Sequence, residues 1–332
     1  MASLFTRRRA IAIFAAAAGL PLLRSGEPAR AAADAVVWRG QALGAPATLI
    51  LHDDNRSRAT MLIARVVAEV ERLEAIFSLY RSDSALCELN RVGGLAAPPV
   101  EMIALLDACR SYWETTKGIF DPTIQPLFAL YAHHFSAPGA DASGPPAAQL
   151  KAALARIGFD AVRFNRDRIA FIRPGMAMSL NGVAQGFITD RVVDLMRNAG
   201  VTSSLVNMGE DRAVGAQAGG SPWRIGLASQ EDSLKPDAVL EIVDQAVATS
   251  SAGGFHFDAS GRFGHILDPC TGAAPQIYRR LSVLAKLAAT ADALSTAMSL
   301  VQPQQIPDML APYRGEVSVD LMTMSGKRLR FW

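Results

Sequence analysis

Residues 249–275 read TSSAGGFHFDASGRFGHILDPCTGAAP, and residues 289–297 read ATADALSTA. The first stretch joins a Gly/Ser-rich turn to a histidine, His265, standing alone just before an Asp-Pro turn, nine residues after His256. The second lies in an Ala/Leu-rich segment of helical character, where Asp292 and Thr296 stand at i and i+4. That spacing brings a carboxylate and a hydroxyl onto one face, about one turn apart. Mg²⁺ takes oxygen ligands and usually shares its shell with substrate phosphates, so the pair suits a nucleotide site. A solvent-facing helix carries the same spacing without any chemistry. A lone histidine is more often a structural hydrogen-bonder than a catalyst, but His265 sits among turn residues and is the first choice for proton transfer.

With 332 residues, half of them hydrophobic, the chain can bury a large core as one large domain or two. The formal net charge is +2, but Arg7, Arg8, Arg9, Arg24 and Arg30 face only Glu27 near the N-terminus. The rest carries about two more acidic than basic residues, which removes compositional support for nucleic-acid binding. Residues 6–33, TRRRAIAIFAAAAGLPLLRSGEPARAAA, combine an arginine cluster, an apolar run from Ile11 to Leu23 and small residues at Ala29, Ala31 and Ala33. This is the pattern of a cleaved export signal over residues 1–33, its arginines suggesting the twin-arginine route to the periplasm. The apolar run is short for a bilayer span and contains Gly19 and Pro21. Cys87, Cys109 and Cys270 allow one disulfide but no framework and no metal-type spacing.

Along the rest of the chain, residues 36–52 alternate like a strand pair. An amphipathic helix follows, with Met61, Leu62, Val66, Val67, Val70, Leu73, Ile76 and Phe77 as its stripe. Further helices are expected over about 100–116, stopped by Lys117-Gly118, and over 147–157, 186–199 and 291–301, with a loop over 136–146. Short strands are expected near 161–164, 168–172, 203–217, 223–228, 239–243 and 316–324. Hairpins mixed with single long helices read as an α+β fold. Ser82 or Asp83 is the expected cap of a helix after Tyr80, and Tyr80 could stack on a planar ring. In SLNGVAQGFITDR (179–191), Gly182 and Gly186 flank an expected strand-to-helix transition. They permit backbone approach to a phosphate or metal, or merely close packing. His133 and His134 lack partners at zinc-site spacing.

Taken in order, FSLYRSDSALCELN, GIFDPTIQPL, SLNGVAQGFITD, LVNMGED, PWRIGLA, ATSSAGGF, GHILDPCTG and ADALSTA resemble the ApbE family of FAD:protein FMN transferases over nearly the whole chain after residue 33. The resemblance implies a two-lobed α+β fold with mixed sheets and long helices, and an FAD groove between the lobes. It implies Mg²⁺-dependent transfer of FMN from FAD to a Thr or Ser hydroxyl of a partner flavoprotein, with release of AMP. Matching positions imply Asp292, Thr296 and the Gly182 carbonyl as metal ligands. Tyr80, Ile119, Phe120, Asp121, Ser179, Gln185 and Ile266 would contact FAD, and His265 would lie beside the reacting phosphate. The alternatives are an FAD pyrophosphatase using water as acceptor, or a non-catalytic periplasmic FAD carrier.

The chain departs from the common family pattern where Ser179 replaces Asp, Gln185 replaces Lys and Glu210 replaces the second Gly of a pair. Leu43-Gly44-Ala45 also stands where Met-Gly-Thr is usual. With the arginine-rich leader, SLNG and AQG are similar to accessory transferases of nitrous oxide reductase maturation, whose partner is a membrane-bound flavoprotein.

Overall fold

Two residues, Leu43 and Gly44, reverse the chain between strands β2 (Ala35–Ala42) and β3 (Ala45–His52), both at positive φ (49° and 83°). Such a two-residue turn matches the twist of an antiparallel hairpin. The computed structural model describes residues 20–21, 35–228 and 236–332. Of the expected leader only the strand β1 (Leu20–Pro21) is among them, so the export reading lies outside the described residues.

Helix α1 (Arg56–Phe77) starts at Asn55, whose side chain accepts from the Arg58 amide, and buries Leu62, Val66, Val70, Leu73 and Phe77. Met61, expected in that stripe, is exposed because it lies a residue off the i, i+4, i+8 face. The helix stops before Ser78, and α2 (Ala85–Val92) is capped by Ser84, which accepts from the Cys87 amide at 3.0 Å. The expected caps Ser82 and Asp83 fall two and one residues too early, respectively. Beyond β4 (Gly94–Ala96), α3 (Val100–Thr115) ends where Lys117 and Gly118 turn left-handed (φ 53° and 84°), as expected.

Helices α4 (Gln125–Ser136) and α5 (Ala147–Leu154) flank the expected loop, and β5 (Val162–Phe164) and β6 (Arg168–Phe171) follow. The expected strand leading into α6 (Ala184–Asn198) is absent: residues 176–180 belong to no helix or sheet. The C-terminal half supplies β7 (Ser204–Asn207), β8 (Asp211–Val214), β9 (Trp223–Leu227), β10 (Ala238–Ile242), β11 (Ala246–Ser251) and β12 (Tyr278–Ala285). It closes with α7 (Ala288–Met298), α8 (Ile306–Leu310), β13 (Ser318–Thr323) and β14 (Arg328–Phe331). Thr249–Ser251, expected as part of a turn, instead ends strand β11.

The fold is α+β, and every described strand pair is antiparallel. Eight strands form the main sheet in the order β14-β13-β12-β11-β8-β7-β3-β2. Its alternating side chains serve two cores. Leu49, Leu51, Val206, Leu281 and Val283 pack toward the helices, while Ile50, Leu205 and Val247 pack against the small sheet β1-β9-β10. Burial on both faces explains why β3 is apolar along its length. A satellite core gathers Leu127 and Tyr131 of α4, Ala153 of α5 and Leu267, with Phe257 and Phe263 packed on it. The cleft described next opens between this lobe and the ends of α6 and α7. No helix among the described residues is long and apolar enough to cross a membrane.

Candidate active site

Two helices without local caps build the floor of the cleft. The first amides of α7 are met from α6: Asp190 Oδ1 accepts from Ala288 N at 2.8 Å and Oδ2 from Ala289 N at 3.0 Å. Asp190 Oδ1 also pairs with Arg212 Nη1 at 2.5 Å, both groups being buried. The helices touch backbone to backbone at Gly186, where a Cβ would stand 2.4 Å from the Ala288 carbonyl oxygen. Gly186 thus lies inside α6 and serves packing.

That docking fixes Asp292. Its Oδ2 accepts from Gly186 N at 3.1 Å, and burial pushes its carboxyl up to about 7. Thr296, one turn on, lies against Gly182: a Cβ there would come within 3.0 Å of Thr296 Oγ1. Asp292, Thr296 and Gly182 are therefore brought together, as expected from the sequence.

The opposite wall is the Asp-Pro turn. Asp268 Oδ1 accepts from Cys270 N (2.8 Å) and Oδ2 from Thr271 Oγ1 (2.6 Å), while Gly272 N donates to the Asp268 carbonyl. Asp268 and Thr271 hold the turn and leave His265 and Ile266 facing the cleft. His265 N and Nδ1 both approach the Phe255 carbonyl, at 3.0 and 3.1 Å. A carbonyl only accepts, so Nδ1 carries the hydrogen and Nε2 is the basic nitrogen. Burial lowers the His265 pKa below the usual imidazole value, which keeps the ring neutral at pH 7.

Ile119, Phe120 and Asp121 line the third side. The Asp121 carboxylate is taken up internally, accepting from Thr123 N and Oγ1, Trp113 Nε1 and Phe159 N. It shapes the loop. Ser179 and Gln185 also line the cleft, Ser179 N donating to the Pro122 carbonyl at 2.8 Å. Gln185 is buried against Gly209, and its Nε2 has no partner. Tyr80 stands apart, nearly half exposed (46%), linked to the cleft through a hydrogen bond with Asn181. Ten of the eleven expected residues thus line one cleft, with Tyr80 outside its lining.

The cleft also contains a residue noted in the sequence only as a departure. Glu210 is buried, and its Oε2 has no partner. Burial first, then the charges of Asp292 and Asp211, push its carboxyl well above the usual range. The MGED motif was its only sequence signal. Asp190 carried none, because its role depends on α7. Cys87, Cys109 and Cys270 are all free thiols. None of them lines the cleft.

The sequence model of the ApbE family matches residues 43–319, and the chain belongs to that family. An FAD:protein FMN transferase of Klebsiella pneumoniae (strain 342) is 26% identical over 92% of this chain and 89% of its own. One from Treponema pallidum (strain Nichols) is 29% identical over 81% and 78%. The apo flavinyl transferase ApbE of Pseudomonas stutzeri has the same fold, with a TM-score of 0.75 at 24% identity over 89% of this chain and 95% of that one.

Proposed function

We propose that this chain transfers the FMN part of FAD to a Thr or Ser hydroxyl of a partner flavoprotein, releasing AMP, with Mg²⁺ held by Asp292, Thr296 and the Gly182 carbonyl. The activity is that named for its relatives. The observation carrying it is the pairing, across one cleft, of a neutral histidine with a buried carboxylate and the half-buried hydroxyl one turn on. Transfer of this kind needs a base, in-line positioning and charge neutralisation.

The attacking hydroxyl oxygen forms a bond to the FMN-side phosphorus while the anhydride P–O bond to AMP breaks. His265 Nε2 takes the hydroxyl proton, and the Phe255 carbonyl steadies the ring through Nδ1–H. Ile119 and Phe120 offer an apolar wall to the flavin, with Ser179 and Gln185 supplying polar contacts. Among the described residues no Lys or Arg lines the cleft, which leaves the pyrophosphate charge to a cation from solution. A bound Mg²⁺ supplies that neutralisation and polarises the phosphate.

The leader read from residues 6–33 supports a periplasmic site of action after twin-arginine export. The SLNG and AQG variants support a membrane-bound partner in nitrous oxide reductase maturation. The test is mass spectrometry of an acceptor flavoprotein incubated with the chain, FAD and Mg²⁺. Covalent FMN with matching AMP supports transfer. Free FMN and AMP without adduct indicate hydrolysis, and no turnover indicates a carrier.

A further inference from the structure

We infer that Glu210 is a second carboxylate ligand of the cation held by Asp292 and Thr296. This rests on the cation site of the proposed function, and extends it with a residue that the resemblance did not supply.

Among the described residues, three carboxylates line the cleft: Asp121, Glu210 and Asp292. Asp121 is committed to four internal hydrogen bonds. Glu210 differs. It sits in the tight turn from β7 to β8, held because Asn207 Oδ1 accepts from Gly209 N, Gly209 adopts φ 113° and Thr189 Oγ1 donates to the Glu210 carbonyl. The turn therefore fixes where the side chain leaves the backbone. The Thr249 amide donates to its carboxylate, and Oε2 is buried without a partner.

An unpaired buried carboxylate oxygen is costly whether charged or neutral, because a protonated oxygen would also need an acceptor. It lines the same cleft as Asp292, whose charge bears on it, and among the described residues no Lys or Arg lines the cleft to offset the two. A hard divalent cation satisfies both at once, since Mg²⁺ and Mn²⁺ take carboxylate oxygens and gain affinity with ligand charge. Ser179 and Gln185 contribute no charge, so a carboxylate enters this site through the β7–β8 turn.

The experiment titrates Mn²⁺ into the metal-free chain, with and without FAD, and follows free Mn²⁺ by electron paramagnetic resonance. Glu210→Gln, Glu210→Asp and Asp292→Asn are compared with the parent. Glu210→Gln is expected to weaken Mn²⁺ binding about tenfold or more, and Glu210→Asp to recover part of the loss by keeping the charge. Thermal melting without metal provides the folding control: the Gln variant should melt no lower than the parent, because it removes a buried charge without changing shape. If Glu210→Gln binds Mn²⁺ within about twofold of the parent while Asp292→Asn loses it, Glu210 is not a ligand and the cation site stands. If neither substitution changes Mn²⁺ binding, or the parent binds none, the cation site itself is overturned, and this inference with it.

Discussion

Asp190→Ala tests how the cleft is held together. The carboxylate caps α7 through Ala288 and Ala289 and pairs with Nη1 of Arg212, a buried guanidinium whose Nε has no partner. Removing it strands that charge, a change that costs about 3–5 kcal/mol when one partner of a buried pair is lost. The lost cap contributes about 1–2 kcal/mol of the same effect, and the two overlap. Burial pushes the Asp190 carboxyl up against the pull of Arg212, so the pair is expensive to keep as a pair. Adding Arg212→Met should therefore recover about 2–3 kcal/mol, leaving the cap deficit. Urea unfolding reads both variants, and hydrogen exchange over residues 288–292 reads the fraying of α7. The reasoning fails if Asp190→Ala costs less than about 1 kcal/mol, or if the double variant is as unstable as the single one.

Asp211 is buried with a single hydrogen bond, from Asn207 Nδ2, and burial pushes its carboxyl up to about 7. Its folded pKa lies above the unfolded value, so its contribution to stability is present at low pH and lost as pH rises from about 4 through about 7, up to about 4 kcal/mol. Asp211→Asn should flatten the fall in melting temperature between pH 5 and pH 8; an unchanged slope would exclude this origin. His265→Gln should lower kcat about 10²–10⁴-fold with little change in FAD affinity, measured by turnover and flavin fluorescence; a retained kcat removes the residue from proton transfer. Gly186→Ala should destabilise the fold by about 1–3 kcal/mol in urea unfolding, since its Cβ meets the Ala288 carbonyl oxygen, and no loss would mean that α6 and α7 can separate cheaply.

What could be read in the sequence was what local pattern encodes. The α1 stripe, the β2–β3 hairpin and the Asp292-Thr296 spacing depend on neighbours a few residues away, and each reappears in the fold. Helix α7 begins at Ala288 rather than near Ala291 because its cap comes from Asp190, far along the chain. Strand β12 was invisible for a similar reason: YRRLSVLA carries two arginines, and Arg280 is tolerated inside the sheet chiefly because Asp320 of β13 meets it at 2.9 Å. Helix α4, which begins directly after the short helical turn Pro122–Ile124, was not among the expected helices. Glu210 was visible as a departure, but its burial beside Asp292 needed the β7–β8 turn and α7 to be placed together.

The most direct test is a single-turnover reaction of the chain with FAD, Mg²⁺ and a flavoprotein domain that receives FMN on threonine, followed by intact-mass analysis and AMP quantification. The account predicts one covalent FMN per acceptor, equal AMP, and loss of both in Asp292→Asn. Free FMN without adduct, or full transfer by Asp292→Asn, would contradict it.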